Sequence, residues 1–205
     1  MYMYQALTCL MTYLMASMHA HYGEATLVFA GDAMMHQSQI DAAHQRDGEY
    51  DFSEYFKAIQ PFVKEADYAV VNLETPLGGK PYSGYPCFCA PDSYAKALID
   101  AGFDCFLTAN NHALDRSDRG VRRTIEVLDS MLMPHVGSYC DAAQRDTVLP
   151  IIQVIKGIKV GLLNYTYGTN GITARSGAVI DYIDKEQSKK DIKKTRDAGA
   201  ELMCV

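Results

Sequence analysis

Short apolar runs separated by polar turns recur along the chain, and their periodicities divide it into strands and helices. Residues 26–30, Tyr68–Leu73 and residues 103–107 are nearly continuous apolar runs, the pattern of strands buried on both faces. Residues 51–66 carry Phe52, Tyr55, Phe56, Ile59 and Val63 at helical spacing, with Ser53 as the expected cap and Pro61 as an expected kink. Asp92–Ala101 predicts a helix capped by Asp92 or Ser93 and stopped by Gly102. Residues 118–131 predict another, capped by Asp118, with Val121, Ile125 and Leu128 on one face. Residues 149–155 and 158–165 read as two strands joined by a tight turn at Lys156-Gly157.

Between these elements the turn residues Pro76, Gly78, Gly79, Pro81, Gly84, Pro86 and Pro91 mark one long loop. Residues 184–198 form a charged helix, and residues 200–205 begin one more apolar strand. A buried strand at the end of a chain lacks cover, so the expectation is a domain whose carboxyl-terminal part lies beyond Val205. No internal repeat stands out, and alternating strands and helices place the chain in the α/β class.

Composition narrows the function. The 205 residues are 48% hydrophobic, enough for a sizeable core, and the formal net charge of -6 argues against a nucleic-acid partner. Basic residues gather in 185–196, interleaved with acids, which reads as the solvated face of a helix. The six cysteines are too scattered for a disulfide framework, and Cys87-Phe88-Cys89 is too closely spaced for a zinc or redox motif. Residues 6–18 are mostly apolar and too short to span a bilayer. Residues 1–24 are therefore expected to be a leader, giving an exported or cell-envelope protein, with a cytoplasmic one as the alternative and residues 25–205 as the domain.

The chemistry is concentrated where the first three strands end. Asp32 and His36 follow the first, Glu74 the second, and Asn111 and His112 the third. In a parallel sheet these ends share one edge, so distant residues can converge there. Carboxylate, amide oxygen and imidazole together suit divalent ions such as Mn, Fe, Zn or Mg. Such ions polarise a phosphoryl oxygen and supply a hydroxide nucleophile. Each residue also has a plainer reading: Asp32 as a turn residue, Glu74 as a loop acid, His36 as a surface residue, and Asn111-His112 as turn and helix-entry groups with Asp115 supporting the turn.

Residues 31–36 (Gly-Asp-Ala-Met-Met-His), 71–77 (Val-Asn-Leu-Glu-Thr-Pro-Leu) and 109–115 (Ala-Asn-Asn-His-Ala-Leu-Asp) resemble successive signatures of the CapA-type capsule and poly-γ-glutamate synthesis proteins. The resemblance runs from about Thr26 to Val205. It implies a calcineurin-like metallophosphatase fold, a sandwich of two β-sheets flanked by helices, incomplete at the carboxyl end. It further implies Asp32, His36, Glu74 and Asn111 as metal ligands, with Glu74 bridging, and His112 as the catalytic imidazole. The family's later histidine motifs are absent from this sequence, so weak metal binding and little turnover are expected. The implied substrate is a phosphoester or an anionic, amide-linked polymer. The alternative is a non-catalytic component of a membrane synthase and export complex.

Overall fold

The computed structural model describes residues 24–205, so the expected leader falls almost wholly outside the described residues. Four strands, β1 (Leu27–Ala33), β2 (Tyr68–Leu73), β3 (Cys105–Leu107) and β4 (His135–Val136), form a parallel sheet in the order β1-β2-β3-β4. The crossovers carry helices α1 (Gln37–Ala43), α2 (Gln60–Glu65), α3 (Asp92–Ala101) and α4 (Ser117–Ser130). A second sheet contains β6 (Ile151–Ile155), β7 (Ile158–Leu162) and β9 (Leu202–Cys204) in the order β6-β7-β9. Two short strands, β5 (Ser138–Tyr139) and β8 (Val179–Ile180), pair antiparallel, and helices α5 (Ala142–Val148) and α6 (Lys185–Asp197) complete the order.

Alternation along β2 explains the layering. Ala69, Val71 and Leu73 join a core with Met35, Ile40, Val63, Tyr94, Leu98 and Leu128 from the helices. Tyr68 and Val70 point the other way, into a core with Val136, Ile155, Val160 and Leu162 of the second sheet. A strand buried on both faces has no polar side to display, which is why its sequence reads as an unbroken apolar run. Beyond the second sheet, Gly161 admits α6 closely. A Cβ there would stand 2.4 Å from the Thr195 methyl carbon. The fold is thus the expected mixed α/β arrangement, with a helix-covered parallel sheet packed on a smaller one.

Several elements differ from their sequence signals. The helix expected over residues 51–66 is confined to Gln60–Glu65, preceded by turns. Pro61 sits in its first turn, where a missing N–H costs nothing, so it starts the helix instead of kinking it. Phe52 and Phe56 keep their packing without the helix, through edge and tilted contacts with Tyr94. Neither Asp92 nor Ser93 caps α3: Pro91 holds the cap position, and Asp92 is taken by both terminal nitrogens of Arg123 at 2.7 and 2.8 Å. The helix α4 starts at Ser117, and Asp118 turns inward to accept the backbone N–H groups of Arg175, Ser176 and Ala178. The hairpin β6–β7 matches its signal, with Lys156-Gly157 as the turn.

One charged cluster ties the second sheet's helices to the rest. Arg145 of α5 donates to buried Asp181 and, at 2.6 Å, to buried Asp191 of α6. Tyr139 Oη donates to Asp181 and Tyr165 Oη to Asp191. Removing one side of a buried ion pair leaves an uncompensated charge, a loss of about 3–5 kcal/mol. Arg145→Leu is therefore expected to lower the urea unfolding free energy by about that amount. A loss below about 1 kcal/mol, the range of an exposed pair, would show that the cluster does not hold the layers together.

Candidate functional site at the strand ends

The site is built by three strand ends and one returning loop. In β1 the register to β2 slips between Ala30 and Asp32. Such a bulge shifts the alternation by one residue, so Asp32 shares the face of Asn72, its partner across the ladder. Asn72 Nδ2 donates to Asp32 Oδ1 at 2.8 Å and to Glu74 Oε2 at 3.1 Å. Its carbonyl oxygen accepts from Asn110 Nδ2 at 3.1 Å, and that same nitrogen donates to the Leu73 carbonyl at 3.0 Å. A chain of side-chain amides thus links the ends of β1, β2 and β3.

The imidazole is fixed from behind. His112 Nδ1 lies 2.7 Å from Asp115 Oδ2, an oxygen that also accepts from the Phe88 backbone N–H. An ionised Asp115 there places the imidazole proton on Nδ1 and directs Nε2 forward, 4.0 Å from Glu74 Oε1. Phe88 lies against His112 with ring centroids 4.5 Å apart and edge-on to His36 at 5.2 Å. The loop that carries Phe88 is held to α4 by the Arg123–Asp92 fork and by Leu77 N–H donating to Thr124.

The second sheet contributes as well. Asn164, two residues past β7, accepts the Ala109 backbone N–H. Gly137 permits this: a Cβ there would stand 2.2 Å from Asn164 Oδ1, and its φ of 115° disfavours any side chain.

Electrostatics follow from burial. The Glu74 carboxyl is pushed up to about 7, first by its burial and then by the nearby Asp32 carboxylate, while Asn111 and His112 pull the other way. Asp115 is also raised by burial, against its bonds to His112 and Phe88. Two carboxylates on one amide form an oxygen-rich, electron-dense pair, which suits a hard divalent cation. Among the described residues no group of three His, Cys, Asp or Glu side chains is placed to hold a metal, and the further oxygen-bearing side chain beside the carboxylate pair is the Asn111 amide.

The structure gathers Asp32, Glu74, Asn111 and His112, with Asn111 beside Glu74. His36 is exposed at the start of α1, edge-on to Phe88 and bordering the same cavity as Asp32. Asn72, Asn110 and Phe88 carried no assignment, although Asn72 is the one polar residue within an apolar strand. Asp115 is a partner of the imidazole and not merely a turn support.

With this geometry in place, comparison with known proteins is informative. Residues 26–205 match the family described as bacterial capsule synthesis protein PGA_cap, and the chain belongs to that family. It is 25% identical over 154 residues to the capsule biosynthesis protein CapA of Bacillus anthracis, an alignment covering 72% of this chain and 36% of the relative. The chain therefore spans little more than a third of the curated relative it matches.

The Glu74 shift has a definite sign. Between its ordinary value of 4.5 and about 7, the folded chain keeps a proton that the unfolded chain has lost. Unfolding then releases a proton, so this group makes stability fall as pH rises through that window. In chelator-treated buffer Glu74→Gln is expected to raise the melting temperature at pH 8 more than at pH 5. An equal effect at both values would remove the coupling.

Proposed function

We propose that this chain carries the strand-end site of a divalent-metal-dependent hydrolase of capsule synthesis, acting on a phosphoester or on an amide-linked anionic polymer such as poly-γ-glutamate. The observation that supports this most directly is the meeting of Asp32 and Glu74 on the Asn72 amide, with the His112 Nε2 4.0 Å from the Glu74 carboxylate. Asp32, Glu74 and the Asn111 amide oxygen would hold the ion. When bound, a divalent ion polarises the scissile group and lowers the pKa of a water ligand. Asn72 keeps the two carboxylates aimed at one point without adding charge. Asp115 holds the His112 proton on Nδ1, leaving Nε2 to exchange a proton with the reacting group. Phe88 excludes water from one side of the imidazole.

His36, which borders the same cavity as Asp32 and meets Phe88 edge-on, would be the further imidazole donor. A binding component of a synthase and export complex at the cell envelope remains the second reading. It is favoured by the small number of acidic and imidazole donors grouped among the described residues.

Two measurements separate them. Manganese titrated into the chain by calorimetry should bind with an affinity that Glu74→Gln lowers at least tenfold and His112→Ala leaves nearly unchanged. Hydrolysis of bis(p-nitrophenyl) phosphate by a protein that carries this chain at the full length of its CapA relative should depend on manganese and fall about 10²–10⁴-fold in His112→Ala, the usual worth of a general acid or base. Activity indifferent to manganese and to both substitutions would overturn the hydrolase reading. Absence of both binding and turnover would favour the binding component.

A further inference from the structure

The segment that follows the imidazole turn is unusually basic for an acidic chain. Arg116, Arg119, Arg122 and Arg123 fall within the first turns of α4 or directly before it. Arg123 is committed to Asp92. Arg119 and Arg122, three residues apart on one helical face, instead border a cleft of about 540 Å³ with Ser117, Thr173, Arg175 and Ser176.

None of Arg119, Arg122 and Arg175 forms a salt bridge among the described residues. Arg122 donates to the Ser176 carbonyl, which fixes its guanidinium at the cleft and leaves its other N–H groups free. The third arginine arrives on a loop that the fold holds in place. Buried Asp118 accepts the backbone N–H groups of Arg175, Ser176 and Ala178 at 2.8, 2.7 and 3.1 Å. Asp118 is the one carboxylate in the lining, and its oxygens are occupied by those amides. Three guanidiniums thus border one cleft without a carboxylate partner, which suits an anionic ligand. A bidentate guanidinium fork matches a carboxylate or phosphate group. A liquid water occupies ~30 Å³, so one small anion would leave most of the cleft to solvent.

We propose that the cleft between the start of α4 and the loop of residues 171–176 binds a ligand bearing two or more oxyanions, carboxylate or phosphate, through Arg119, Arg122 and Arg175. The site lies outside the strand-end acids and does not depend on a metal. It would give the chain a hold on an acidic ligand regardless of whether the strand-end site is catalytic.

The test is calorimetric binding of inorganic pyrophosphate and of citrate to the 205-residue chain in chelator-treated buffer at low salt. Acetate serves as the single-charge comparison. At least one of the two multivalent probes should bind tenfold or more tightly than acetate, and the tighter one identifies phosphate or carboxylate as the preferred group. Arg119→Ala/Arg175→Ala should weaken that binding at least tenfold. Both side chains are exposed, so the fold should survive, and circular dichroism checks it. Thr173→Glu, which adds a negative charge to the lining without removing an arginine, should weaken binding in the same direction. Glu74→Ala and His112→Ala should leave it unchanged, which separates failure of this site from failure of the hydrolase reading. No preference for either multivalent probe over acetate, or binding that survives both the double substitution and Thr173→Glu, overturns the proposal.

Discussion

Everything at the strand ends depends on one side-chain amide. A parallel sheet brings the ends of β1, β2 and β3 to one edge, but proximity alone would drive Asp32 and Glu74 apart. Asn72 opposes this by donating from a single nitrogen to both carboxylates. Its oxygen, in turn, takes a hydrogen from Asn110, so the next strand end is tied to the same point. The neutrality of the amide matters. An aspartate at this position would offer no donor and would add a third negative charge beside a Glu74 carboxyl that burial and then Asp32 already raise to about 7. The bulge before Asp32 belongs to the same arrangement, because without it the carboxylate would face the helix-packed core.

The imidazole is held by a parallel device with a different source of rigidity. Asp115 needs a reason to remain where it is, and Phe88 N–H supplies part of it by donating to the same oxygen that meets His112. That makes the position of the imidazole depend on the long loop preceding α3. The loop is irregular but anchored at several points to α4, through Arg123 and Thr124. A loop so fastened can carry a functional side chain as reliably as a helix does. Asn164 adds a link from the second sheet, so both layers of the sandwich converge on residues 108–112.

The parts of the fold that were legible in sequence are those whose signal is local. Tyr68–Leu73 and the β6–β7 hairpin follow from apolar runs and a two-residue turn, and their bounds changed little. The strand-end acids and imidazole were legible for the same reason: each directly follows such a run. Illegible features depend on partners far along the chain. Asp118 resembles a helix cap in sequence, but residues 175–178 claim it first. Residues 51–59 have helical spacing but need only turns to bury Phe52, and Pro61 sets the helix start. The strands β4, β5 and β8 are two residues each, too short for any periodicity to register. His36 looked equivalent to Asp32 because it follows the same strand. The turn into α1 sets its ring edge-on to Phe88, and no spacing rule reports that rotation.

Charge is distributed around residues 112–122 in a way that neither the net value nor a motif conveys. Before the turn, two carboxylates are held together by a neutral amide; after it, two arginines of α4 and Arg175 of a backbone-anchored loop border one cleft. The first gathering costs free energy, since burial and the neighbouring Asp32 carboxylate both disfavour a charged Glu74. A chain with a net charge of -6 would repel an acidic ligand at long range. Binding one therefore requires local positive charge in a cleft, and the arginines of α4 and Arg175 are placed to provide it.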